Sequence, residues 1–213
     1  MITWSSITSF GDMTVTAPAG LAIAVWLLLS NEKRMALWWS GLFGAGLALV
    51  ALTKIAFMGW GIGIPSLDFT GISGHAMRGM AVIPVLFFLF SQRFSMPVRL
   101  AAIMAGFGFG TLVAVSRVVL QQHSHSEAVI GWLLGGLVSV TFIHMSHALQ
   151  RCVLNRSRVA FAVMLLLVTV SAEPAPTQRW LTKATQLISG HDATFSRSDD
   201  RSERRVRDHG AES

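Results

Sequence analysis

An all-α integral membrane bundle of six transmembrane helices is the fold class that this 213-residue sequence predicts, and three observations lead to it. Hydrophobic residues make up 52% of the chain and charged residues only 13%, a balance far from that of a soluble domain. The apolar residues gather in six runs, most of them near the length that a bilayer core demands, about 20 residues for about 30 Å. The basic residues between these runs concentrate in alternate loops, the pattern that the positive-inside rule produces.

The runs cover about 13–30, 35–56, 75–91, 98–116, 127–147 and 158–172, each bounded by charge, Gly or Pro. Met1 to Met13 holds no basic n-region, so the first run is expected to remain as a span and not to be cleaved as a signal peptide. The sixth, Val159 to Ala172, is short for a span, and a re-entrant or interfacial helix is the alternative. After Pro174 and Pro176 the composition turns polar. There Trp180, Leu181, Ala184, Leu187 and Ile188 recur at helical spacing, which predicts a short amphipathic helix lying on the membrane surface. Disorder is expected from about Ser189. The chain thus divides into a membrane domain, 1–172, and a polar tail, 173–213. The tail is outside if the sixth run spans and cytoplasmic if it does not.

Charge distribution excludes nucleic acid as a partner. Residues 173–213 carry seven bases and seven acids, so the net +6 resides in residues 1–172, as ten bases against four acids, and no basic arm emerges. Seven of those ten fall in alternate loops: Lys33 and Arg34, then Arg93 and Arg99, then Arg151, Arg156 and Arg158. These are expected in the cytoplasm, with the N-terminus, the 57–74 loop and the 117–126 loop on the opposite face. Lys54, Arg78 and Arg117 remain, at or near that outer face. The topology rule does not account for them, and ionisable groups at membrane depth read as functional.

Three segments converge there: Lys54 at the end of the second run, Gly71-Ile72-Ser73-Gly74-His75 opening the third, and Ser116-Arg117 with His123 and Glu127 between the fourth and fifth. Lys54 and Arg117 are cationic donors. Ser73 and Gly74 at a helix N-terminus add backbone N–H groups, and the set suits a bound anion such as phosphate. His123 and Glu127 are four apart, so the carboxylate can hold one ring nitrogen and leave the other free to attack phosphorus. His75 is left as proton donor to a departing alkoxide. Positioned cations can stabilise a transferring phosphoryl group, so the arrangement requires no metal or cofactor.

These residues resemble the signatures of the superfamily of type-2 phosphatidic acid phosphatases, bacterial acid phosphatases and vanadium haloperoxidases: Lys-x6-Arg-Pro, Pro-Ser-Gly-His and Ser-Arg-x5-His-x3-Asp. The third is matched from Ser116-Arg117 through His123 to Glu127, with Glu for the final Asp. Ile72-Ser73-Gly74-His75 matches the second, with Ile for Pro. The following Gly131-Trp132-Leu133-Leu134-Gly135 is similar to the helix that many relatives have after the third signature. The first signature keeps Lys54 but has Gly61 and Ile62 for Arg and Pro. Arg78, one turn after His75, is the candidate replacement cation; the alternatives are that it snorkels or pairs with Asp68.

The resemblance implies that His123 attacks phosphorus to form a phosphohistidine, that Glu127 orients it, and that His75 protonates the departing oxygen and later activates water. Lys54, Ser73, Gly74 and Arg117 would hold the phosphate oxygens. His125 is the alternative nucleophile, but it lacks a carboxylate four residues on and reads better as a solvated loop histidine. The implied substrate is a lipid phosphate or pyrophosphate: phosphatidic acid, phosphatidylglycerol phosphate, polyprenyl pyrophosphate or the phosphates of lipid A. The implied location is the bacterial inner membrane, among membrane lipids, with the site facing periplasm or exterior. Members of the haloperoxidase branch are not six-span proteins of this size, and vanadate is expected to inhibit. A non-catalytic relative that binds or moves lipid is the competing reading, favoured by the missing Arg-Pro.

The remaining features read as structural. Trp38, Trp39, Trp60 and Trp132 lie near run ends, as interfacial belt residues do. The glycines of 41–46 and 106–110 allow close helix packing. His144 and His147 are three apart with no further ligand cluster, which does not make a metal site. The single cysteine, Cys152, excludes an intramolecular disulfide.

Overall fold

The computed structural model describes residues 3–146 and 177–190. The described residues form helices α1 (Trp4–Ser9), α2 (Met13–Leu29), α3 (Lys33–Trp60), α4 (Gly74–Ser91), α5 (Met96–Val119), α6 (His125–Met145) and α7 (Thr177–Ser189), with one 3₁₀ turn at Pro65–Leu67. There is no strand among them. The helices α3 to α6 are each long and apolar enough to cross a membrane, and α2 is a shorter apolar helix. Five of the six expected runs therefore appear as helices, at bounds close to those read from the sequence. The sixth run, Cys152, His147, Arg151, Arg156, Arg158 and the tail beyond Gly190 lie outside the described residues.

α4 is the central helix. Its span is 78% buried, against 22% to 39% for the most apolar stretches of α3, α5 and α6. The consecutive residues Met80, Ala81, Val82 and Ile83, about 100° apart, are all buried, so every side of it is packed. Small residues allow its neighbours to come this close, because lipid chains are as apolar as side chains and helix association in a membrane depends on fit. On α5, a Cβ at Gly106 would lie 2.8 Å from the Pro84 Cα, and one at Gly110 would lie 2.8 Å from the Met80 Sδ. On α6, a Cβ at Gly131 would lie 2.5 Å from the Ser73 carbonyl oxygen, and one at Gly135 would collide with the Met77 carbonyl oxygen. Gly135→Ala is accordingly expected to destabilise the detergent-solubilised protein by about 1–3 kcal/mol, read as a lower apparent Tm. Gly44→Ala, which meets nothing within 4 Å, is the matched control and should leave Tm unchanged.

Helix ends fix where the chain turns. Asp12 caps α2 by accepting from the Thr14 N–H, and Ser124 caps α6 in a reciprocal capping box with Glu127. α3 stops at Gly61, which adopts the left-handed conformation (φ 66°) and donates its N–H to the Phe57 carbonyl. This is the position at which the first signature has arginine. The bundle has two distinct ends. The C-terminus of α3 and the N-termini of α4 and α6 lie at one. Ser146, after α6, lies at the other, 3.9 Å from the Met35 Sδ near the start of α3. α7 packs on the first end, where a Cβ at Gly59 would meet Thr185 and Ser189. α6 thus finishes at one end of the bundle and α7 lies at the other.

Two expectations need correction. Trp39 is not a belt residue: it is 1% exposed, stacks on Phe43 and donates its indole N–H to the Gly20 carbonyl at 2.8 Å. Consecutive helical residues point about 100° apart, so Trp38 and Trp39 could not share one lipid-facing side. Trp132 is also tied inward, donating to Thr111 Oγ1 at 2.9 Å and so joining α6 to α5. Trp38 and Trp60 are exposed as expected.

Candidate active site

Lys54, Gly74, His75, Arg78, Arg117 and His123 all line one cavity of about 1060 Å³ at the end of the bundle where α3 finishes and α4 and α6 begin. These positions, up to 69 residues apart in the chain, are brought together by one loop. Residues 70–73 run between α3 and α6, with the Ile72 N–H on Thr53 Oγ1 at 3.2 Å and the Ser73 N–H on the Glu127 carbonyl at 3.1 Å. Gly71 has φ 146°, and a Cβ there would lie 3.0 Å from the Lys54 Cγ and 3.3 Å from its Cα. A side chain would therefore prevent the loop from lying against Lys54.

Glu127 anchors the site. Fully buried, it accepts at Oε1 from the Thr70 N–H (2.8 Å) and hydroxyl (2.6 Å), while Oε2 lies 2.7 Å from His123 Nδ1 and accepts from the Ser124 N–H at 3.3 Å. These donors hold the carboxylate in one orientation, and it fixes the ring it faces. The glutamate that replaces the family's aspartate is also the residue that the capping box of α6 requires at that position. With Nδ1 held, the Nε2 of His123 is the nitrogen left for chemistry. Burial pushes the His123 imidazole below its ordinary pKa, with Glu127 opposing that shift. His125 is exposed and lines a separate apolar groove with Trp132, outside the cavity.

Arg78 does not pair with Asp68. Its guanidinium is 8% exposed, donating from Nε to Thr16 Oγ1 (3.1 Å) and from Nη2 to the Gly11 carbonyl (3.1 Å), with Nη1 lying against Gly74. Arg117, 7% exposed, donates from Nη1 to Thr8 Oγ1 at 2.9 Å. Two buried donors, Arg117 Nε and Ser73 Oγ, have no partner among the described residues. Such groups are costly to leave unsatisfied, and both are of the kind that a phosphate oxygen satisfies.

One charged residue of the site escaped the sequence reading. Asp12 places Oδ2 3.3 Å from His75 Nε2, and the imidazole is the main reason its carboxyl is held well below the usual carboxylate range, with burial opposing. A signal existed: Asp12 is one of four acids in the first 172 residues and belongs to the N-terminal segment, which the sequence reading expects on the same face as the three unexplained bases.

Comparison with known proteins gives this geometry a family. The sequence pattern of the PAP2 superfamily matches residues 62–151, which contain the second and third signatures. An uncharacterized 22.5 kDa protein in the cps region of Klebsiella pneumoniae is 38% identical over 201 residues, covering 92% of this chain and 96% of that one. The chain belongs to the PAP2 superfamily. No solved structure matches it. The PAP2 match begins after Lys54 and Gly61, where the first signature is incomplete. The cavity nevertheless has three cations on its wall, because Arg78 reaches it from α4.

Proposed function

We propose that this PAP2 protein is a membrane-embedded phosphatase that hydrolyses a phosphate monoester or pyrophosphate of a lipid through a phosphohistidine on His123. The observation that carries this reading is His123, held from behind by the buried Glu127, on the wall of a cavity shared with three cations and a second histidine. A binding pocket alone has no use for a buried carboxylate that aims an imidazole.

In the proposed reaction the phosphate lies among Lys54, Arg78, Arg117 and the N-terminus of α4 at Ser73 and Gly74. His123 Nε2 attacks phosphorus, and His75 gives a proton to the departing oxygen as the P–O bond breaks. A water then attacks the phosphohistidine, losing its proton to His75 as the P–N bond breaks, and inorganic phosphate leaves. The developing charge is spread over the phosphoryl oxygens, where fixed cations and N–H groups stabilise it most. Arg78 takes the place of the missing signature arginine, which removes the main support for a non-catalytic lipid-binding relative.

The apolar part of the substrate would lie along Leu47, Val50, Ala51 and Ile55 of α3 and beneath Trp180 and Leu181 of α7, which line the same cavity. Lys33, Arg34, Arg93 and Arg99 lie toward the opposite end of the bundle, so the positive-inside rule would turn the site toward the periplasm or exterior of a bacterial inner membrane. The test is phosphate release by purified protein from a panel of lipid phosphates in EDTA, beside His123→Ala. Release by wild type alone is expected. Equal background from both, with both folded, would leave lipid binding as the better account.

A further inference from the structure

Each histidine of the site is held by a carboxylate, and only the Glu127 pair belongs to a signature. We propose that Asp12 is the positioning residue for His75, holding the ring Nε2–H so that Nδ1 is the atom that exchanges a proton with the departing oxygen. The proposal rests on the hydrolase reading above.

Four observations support it. Asp12 Oδ2 lies 3.3 Å from His75 Nε2. The direction of the carboxylate is fixed from behind, because Oδ1 accepts from both the N–H (2.9 Å) and the hydroxyl (2.8 Å) of Thr14. The chain approaches as closely as its atoms allow: a Cβ on Gly11 would lie 2.9 Å from the His75 carbonyl oxygen and 2.7 Å from Val113 Cγ1. Finally, His75 Nδ1 faces Arg78 Nη2 at 3.5 Å. A guanidinium has only donors, so the neutral ring meets it with an unprotonated Nδ1 and carries its hydrogen on Nε2, toward Asp12.

The proton balance follows. The imidazolium gives its Nδ1 proton to the departing alkoxide as the P–O bond breaks and the His123 Nε2–P bond forms, and an alcohol leaves. His75 is then neutral, with its Nε2–H on Asp12. In the second half Nδ1 takes the proton of the attacking water. Asp12 neither gains nor loses a proton; it keeps one tautomer and stabilises the imidazolium, as a carboxylate behind a catalytic histidine does.

The test uses the full-length protein carrying Asp12→Asn or Asp12→Ser, since Asn and Ser are both good helix caps and keep the start of α2. Two substrates of matched chain length are compared: an alkyl phosphate, whose leaving oxygen needs a proton, and a nitrophenyl phosphate, whose leaving oxygen does not. For both variants kcat/KM, which covers the steps up to phosphoryl transfer to His123 and not the later attack of water, should fall about 10- to 100-fold on the alkyl phosphate and less than about threefold on the nitrophenyl ester. Equal losses on the two esters would mean a merely structural contact, and unchanged or raised activity would mean a segment that obstructs the site; either overturns the positioning role alone. Wild type that releases no more phosphate than His123→Ala overturns the hydrolase reading, and the positioning role with it.

Discussion

His123→Ala is expected to reduce phosphate release on the order of 10⁴-fold or more, to background, while leaving Tm within a few degrees of wild type. The effect is this large because the proposed reaction has two halves that both pass through the His123 Nε2–P bond. Without the imidazole, water would have to attack the bound ester directly, with only the fixed cations to assist. The fold should survive, because His123 sits in the turn between α5 and α6 and its backbone contact is a single N–H on the Arg117 carbonyl at 3.3 Å. Substrate affinity should survive as well, since the anion is held by Lys54, Arg78 and Arg117. A variant that binds lipid phosphate but does not release it is the expected phenotype. Turnover within about tenfold of wild type would rule out His123 as nucleophile.

Glu127→Gln is expected to lower kcat by about 10³- to 10⁴-fold with little change in KM. An amide can still accept from Thr70 through its oxygen. Its nitrogen, however, then faces His123 Nδ1 as a donor, favouring the tautomer that carries hydrogen on Nε2 and masks the nucleophile. The pH profile offers a second readout. Burial holds the imidazole below its ordinary pKa, so the nucleophile stays neutral to lower pH than an exposed histidine does. The acid limb of kcat/KM should therefore fall below about 6.5. Glu127 favours the protonated ring and so opposes burial. Removing its charge must shift the acid limb further to lower pH, and a limb that moves upward in Glu127→Gln would contradict the pairing.

Most of the bundle was legible because its signals are local. Apolar runs of bilayer length marked α2 to α6, and the alternation of Lys33–Arg34 with Arg93–Arg99 implied which ends of the helices lie together. The third signature was legible for the same reason: His123 and Glu127 are four residues apart at a helix start, so the spacing alone brings them into contact. Arg78 was visible as an unexplained charge, although its partners were not. Its guanidinium contacts Thr16 and Gly11, which are 62 and 67 residues away in the chain, and no periodicity reports such a contact.

The N-terminal segment is what sequence reasoning missed. α1 has six residues and no apolar run, and the segment up to the start of α2 contributes to the site a hydroxyl from Thr8, a carbonyl from Gly11 and the carboxylate of Asp12. Hydroxyls and backbone carbonyls carry no signature of their own. Asp12 could have been found by asking of the acids what was asked of the bases, namely why a charge should lie at that depth. Gly61 misled in another way. Read against the first signature it was a lost arginine, whereas in the fold it is the left-handed residue that ends α3.

The central claim, that the phosphoryl group passes to His123, is tested most directly by acid-free quenching of the protein during turnover of a lipid substrate radiolabelled in its phosphate. The account predicts label on the protein that is stable to base, labile to acid and confined to the peptide containing His123, and its absence from His123→Ala. Turnover with no protein-bound label at any quench time, or label on a different residue, would contradict it.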